Sequence, residues 1–83
     1  MQTTYTLHID SGHGWLEVEW EEVWRLDIKP SHYSYTNGTH VFLEEDCDAY
    51  AFVEAKKAAS EDYSIVTRYV DGDSPIRDYQ RIT

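Results

Sequence analysis

Cysteine is nearly missing from this chain. Cys47 is the only one, so no disulfide can close within it, and the bridges that staple many small extracellular domains are excluded. Proline is confined to Pro30 and Pro75, and no linker, repeat or low-complexity stretch interrupts the pattern. No run approaches the ~20 apolar residues of a membrane span. Met1 to Tyr5 has neither the basic flank nor the apolar core of a signal peptide, which predicts a soluble, cytoplasmic protein. Bases are also scarce: seven Lys and Arg stand against 16 Asp and Glu, for a net charge of −9. That balance repels nucleic acid and anionic membranes and attracts basic protein surfaces, so direct nucleic-acid and membrane binding are disfavoured.

What the chain does have is aromatic mass. Three Trp, seven Tyr and two Phe in 83 residues supply large buried areas and oppose the reading of a disordered acidic tail. A chain this short buries only about 60–65% of the surface it exposes when unfolded and cannot divide into two cores. One domain over residues 1–83 is therefore expected.

The charge is segregated along the sequence. Residues 1–54 hold eleven acids against Arg25 and Lys29, whereas residues 55–83 hold five acids and five bases and sum to zero.

Tyr5, Leu7 and Ile9 alternate with polar residues, as on a half-buried strand, and residues 10–14 read as a turn. Between Trp15 and Ile28 two periods compete. Trp15 to Val18 suits a short strand; Glu19 to Asp27 suits a helix with Trp20, Val23 and Trp24 turned inward, closed by Pro30. Asn37-Gly38 between two strand-like runs, Tyr33–Thr36 and His40–Glu44, predicts a tight hairpin. Asp46 or Asp48 can cap a helix from about Cys47 to Ala59, with Tyr50 and Phe52 as anchors and Lys56 and Lys57 near its end. Tyr63–Val70 reads as a strand, residues 71–75 as a turn, and Ile76–Ile82 as a last strand. The order β-β-α-β-β-α-β-β predicts an α+β fold: a mainly antiparallel sheet with two helices covering one face.

His13-Gly14-Trp15-Leu16-Glu17-Val18, then Ser34-Tyr35, then Phe42-Leu43-Glu44-Glu45-Asp46-Cys47-Asp48-Ala49 with Phe52 and Ala55, resembles a family of small acidic proteins from bacteriophages and other mobile elements. The resemblance spans roughly residues 13–55 and brings no catalytic motif. It implies a context, the host bacterial cell, and a likeness in character to anti-CRISPR and anti-restriction inhibitors.

Glu44-Glu45-Asp46-Cys47-Asp48 is the sharpest local feature. Carboxylates spaced along a strand end and helix start can imitate a row of phosphates, as a DNA mimic does. They can equally serve a helix N-terminus, where each stabilises the helix by ~0.3–1 kcal/mol. Asp71-Gly72-Asp73 and Asp46-Cys47-Asp48 lack the further ligands of a calcium loop, and the four histidines show no zinc spacing, so neither metal nor cofactor is predicted. Cys47 reads as a small buried residue, and its acidic neighbours would repel a thiolate nucleophile. No Gly-rich phosphate loop or nucleophile elbow is present, and no catalytic residue is assigned. The expectation is an inhibitor that binds a basic, nucleic-acid-binding defence protein of the host through Glu17, Glu19, Glu21, Glu22, Glu44, Glu45, Asp46 and Asp48. The alternative is a non-enzymatic phage assembly module or homo-oligomer held by exposed aromatics. The sequence leaves the oligomeric state open.

Overall fold

The period-two alternation at the start of the chain forms the strand it predicts. In the computed structural model, which describes residues 3–82, β1 (Thr3–Ile9) pairs antiparallel with β2 (Gly14–Glu19), with Leu7 opposite Leu16. β2 pairs in turn with β4 (His40–Glu44), and β3 (Tyr35–Thr36) forms a hairpin with β4. Two helices, α1 (Trp20–Arg25) and α2 (Asp48–Ala58), interrupt the strands. β5 (Tyr63–Tyr69) and β6 (Gln80–Arg81) complete a six-stranded sheet in the order β5-β1-β2-β4-β3-β6. Every pairing is antiparallel except β1 with β5, because α2 carries the chain from β4 across β2 and β1 to the far edge. The α+β expectation holds.

Both faces of the sheet are apolar, but unequally covered. Leu16, Val18, Val41 and Leu43 meet Val23 of α1 and Ala49 and Phe52 of α2 in the main core. Tyr5 packs edge-on against Phe52 at 5.3 Å between ring centres, and burying a residue such as Phe52 stabilises by about 1.5–3 kcal/mol. The opposite face carries a smaller core of Trp15, Tyr35 and Phe42, closed by Ile76 and Tyr79.

That second core overturns the predicted strand over Ile76–Ile82. Pro75 instead opens a 3₁₀ turn (Pro75–Asp78), with the Ser74 side chain accepting from the Ile76 N–H at 3.2 Å, and only Gln80–Arg81 pairs. Residues three apart stack on one side of a 3₁₀ turn, so Ile76 and Tyr79 point together into the Trp15–Phe42 surface. Local alternation loses to this packing.

Both helices end on a non-glycine residue with positive φ. Asp27 (φ 57°) ends α1, with the Ile28 and Asp27 N–H groups bonding back to the Val23 and Trp24 carbonyls; Ser60 (φ 57°) ends α2 with the same pattern. This is the Schellman arrangement. It stops α1 well before Pro30, and it delivers Glu61 back beside Lys56. Of the three residues expected to face inward from α1, Val23 is buried and Trp20 packs on the core, but Trp24 is 71% exposed. A six-residue helix has room for one inward stripe, and Trp24 lies 100° around from Val23. It stacks on Trp20 instead, 5.7 Å away. Tyr50 of α2 likewise stays outside, at 64% exposure.

The hairpin forms one residue later than predicted. Asn37 pairs with His40 and the two central residues are Gly38 and Thr39, with Gly38 at φ +99°. The Asn37 side chain accepts from the Thr39 and His40 N–H groups at 3.0 and 2.9 Å, so it braces the turn from outside.

Candidate functional site

The two acidic segments assigned to partner binding occupy opposite ends of the β2–β4 pair. Glu19 stands opposite His40 at one end, and Glu44 stands opposite Trp15 at the other. Four residues of strand separate these levels, roughly 13 Å at the usual rise.

Half of the eight predicted side chains are engaged inside the molecule. The Glu17 carboxylate meets His8 Nε2 at 2.7 Å, with His40 Nε2 at 4.0 Å. Glu22 accepts from the Tyr5 hydroxyl at 2.7 Å and from Lys56 at 3.2 Å, and lies 3.3 Å from Arg25. Glu44 accepts the Asp46 and Cys47 N–H groups at 2.9 and 3.0 Å. Those N–H groups lie in the turn before α2, and no side chain caps the helix itself, contrary to the cap expected of Asp46 or Asp48. Asp48 is buried and accepts from the Ser31 N–H at 2.7 Å, the Ser31 hydroxyl and the Ser34 hydroxyl, tying the loop before β3 to α2. The remaining four, Glu19, Glu21, Glu45 and Asp46, are exposed, and none has a basic partner within ion-pair distance among the described residues. Cys47, expected to be buried, is exposed as well.

The strongest electrostatic arrangements are ones the sequence did not reveal. Lys56, 3% exposed, lies between Glu22 (3.2 Å) and Glu61 (3.0 Å), with its ammonium 5.4 Å from the centre of the Tyr5 ring. Burial pulls its pKa down, but hydrogen bonds with Tyr5, Glu61 and Glu22 outweigh that and raise it. Glu61 also takes both Arg25 nitrogens, at 2.6 and 2.8 Å, and Arg25 and Lys56 together hold its carboxyl at about 2.

The second hub is Asp10, fully buried at its side chain. It accepts from Arg77 Nε (2.6 Å) and Nη2 (3.0 Å) and from the N–H groups of Gly12, His13 and Ser74, each at 2.9 Å. Arg77, and then the backbone donors, hold Asp10 far below the usual carboxylate range against the opposing effect of burial. No spacing rule connects positions 10 and 77.

Arg77 also borders a pocket of about 280 Å³ walled by Trp15, Tyr33 and Tyr35, with Arg81, Glu44 and Cys47 on its rim. Arg77 and Arg81 lie 5.4 and 5.1 Å over the Trp15 and Tyr35 rings. Guanidinium over aromatic faces suits binding of planar or anionic groups. No nucleophile–base pair accompanies them: Cys47 has no hydrogen-bonded histidine among the described residues. Nor, among the described residues, do three His, Cys, Asp or Glu side chains converge as metal ligands would. Among the described residues no helix is long and apolar enough to cross a membrane. Comparison with protein-family models, with curated proteins and with solved structures returned no match.

Proposed function

We propose that this protein is a non-enzymatic inhibitor that binds a basic, nucleic-acid-binding surface of a host defence protein, of the CRISPR or restriction kind, through exposed carboxylates. The observation that carries the reading is the disposition of Glu19 and Glu21 at one end of the sheet and Glu45 and Asp46 at the other, all exposed. Arg25, Lys56, Lys57 and Arg77 are committed to other acids, and among the described residues none of these four carboxylates is held in an ion pair. The phage-like signature in residues 13–55 supplies the biological context.

The separation of the two ends refines the mode of action. A single row of carboxylates standing in for one strand of phosphates would need the 17–22 and 44–48 segments side by side. Two acidic patches at opposite ends of the β2–β4 pair instead suit a block that grips a basic surface at two points and excludes nucleic acid by its bulk.

Electrostatic capture of this kind weakens with salt. A pull-down from bacterial lysate should retain a basic nucleic-acid-binding protein at low salt and release it at high salt. The paired reversals Glu19→Lys with Glu21→Lys, and Glu45→Lys with Asp46→Lys, should each abolish retention while leaving the fold intact. If the wild-type chain retains no such protein at low salt, the proposal fails.

A further inference from the structure

The far edge of the sheet is unguarded. β5 pairs with β1 through all seven of its residues, Thr3 opposite Tyr63 to Ile9 opposite Tyr69, and among the described residues no strand lies on its other side. From Ser64 to Tyr69 its outward N–H and C=O groups therefore form an open ladder. Natural edge strands are blunted by shortness, proline, charged side chains or a bulge. The opposite edge, β6, follows that rule with two residues. β5 is less protected: its sequence Tyr-Ser-Ile-Val-Thr-Arg-Tyr has no proline and a single charge, Arg68. It also leaves Ile65 (40%), Val66 (50%) and Tyr69 (79%) exposed, and Tyr50 of α2 borders the same shallow cleft as Ile65.

We propose that β5 is a dimerisation strand whose partner is β5 of a second copy, paired antiparallel about a twofold axis through Ile65. Charge selects both the occupant and the register. Arg68 and Asp62 are exposed, and neither has an oppositely charged partner among the described residues. With the axis at Ile65, Arg68 of each copy stands directly opposite Asp62 of the other, so the symmetry makes two ion pairs. Ile65 meets its own equivalent on the helix-covered face, and Val66 meets Ser64 on the other. Moving the axis to Val66 would place Arg68 opposite Ser64 and forfeit both direct pairs, while an odd shift would turn apolar side chains to the wrong face. The pairing joins two six-stranded sheets into one and satisfies backbone groups that are otherwise left to water. It uses none of Glu19, Glu21, Glu45 or Asp46, so it stands or falls independently of capture by a basic partner.

Size-exclusion chromatography with light scattering tests it on the full chain. The expected mass is twice the 9.8 kDa of one chain. Arg68→Asp should raise the dissociation constant by about tenfold or more, because two attractive pairs become two repulsive ones. The charge swap Arg68→Asp with Asp62→Arg should restore dimerisation. Ile65→Lys, at an exposed position, should give a folded monomer by circular dichroism. A wild-type chain that stays monomeric at the highest soluble concentration overturns the proposal. So does a dimer indifferent to Ile65→Lys, or one that Arg68→Asp weakens and the swap fails to rescue.

Discussion

Replacing Asp10 by asparagine should be among the most damaging near-isosteric changes available in this protein. The carboxylate accepts five hydrogen bonds, two from the Arg77 guanidinium and three from backbone N–H groups. An asparagine oxygen can keep the Gly12 and His13 donors, but its NH₂ then faces the Ser74 N–H and Arg77 Nε, donor against donor. Hydrogen bonds to a charged group are worth about 1.5–3 kcal/mol each, and breaking a buried ion pair costs about 3–5 kcal/mol. Arg77 is 31% exposed at its side chain and recovers some hydration, so about 3 kcal/mol is expected. An 83-residue domain has roughly 4–12 kcal/mol in total. In urea, with a slope of about 1–1.5 kcal/mol/M, the midpoint should fall by about 2–3 M. The pH dependence supplies a second test. Because the folded pKa of Asp10 is depressed, its contribution is present above the unfolded value of about 4 and is lost as pH falls below it. Glu61, held at about 2, acts in the same direction and window. The wild-type midpoint should thus fall steeply from pH 5 to pH 2, and that of Asp10→Asn less steeply, with a residual slope from Glu61. A midpoint shift under about 0.5 M at pH 7, or parallel pH profiles, would refute the reasoning.

Two further substitutions probe the other conclusions about stability. Lys56→Ala should cost about 3–5 kcal/mol, since it opens a cavity and strips Glu22 and Glu61 of a buried cation, whereas Lys56→Met keeps the packing and should cost clearly less because Arg25 still pairs with both carboxylates; equal losses on urea unfolding would show that the stem contributes nothing. Gly38→Ala should destabilise by about 1 kcal/mol although no atom lies within 4 Å of the new methyl, because φ of +99° suits glycine alone; an unchanged thermal midpoint would contradict this.

The elements legible in the sequence are those whose signals are local. Tyr5-Leu7-Ile9 alternation, the Leu16–Val18 strand, the glycine of the β3–β4 turn and the alanine-rich helix ending in Lys56 and Lys57 each carry their pattern within about ten residues, and each forms, the turn one residue late. The failures share a different origin. Trp24 is apolar and correctly spaced, yet α1 is too short to bury a second stripe. Ile76 to Ile82 alternates weakly like a strand, yet Pro75, the Ser74 cap and the waiting surface of Trp15 and Phe42 draw it into a 3₁₀ turn. Asp10 with Arg77, and Glu22 with Lys56, are joined only once the sheet brings distant segments together. The parallel placement of β5 beside β1 depends on how far α2 carries the chain, which no periodicity encodes.

The same long-range pairing changes what the acidity means. Counted along the chain, the whole net charge of −9 belongs to residues 1–54, as though the last third were electrostatically idle. In the fold that third supplies Lys56, Arg77 and Glu61, which hold Glu22, Asp10 and Arg25 of the first two-thirds. Exposure and partnership, more than number, decide which carboxylates can meet another molecule. Reversal of charge at Glu22 or Asp48 would remove an internal acceptor from Tyr5 and Lys56, or from Ser31 and Ser34, and would lower binding simply by unfolding the protein. Of the eight predicted acids, Glu19, Glu21, Glu45 and Asp46 are the four that can be reversed without breaking a side-chain hydrogen bond or ion pair among the described residues. A partner that senses these four and ignores the salt-bridged acids would be responding to the surface of the fold, and one lost equally on any reversal would be responding to its stability.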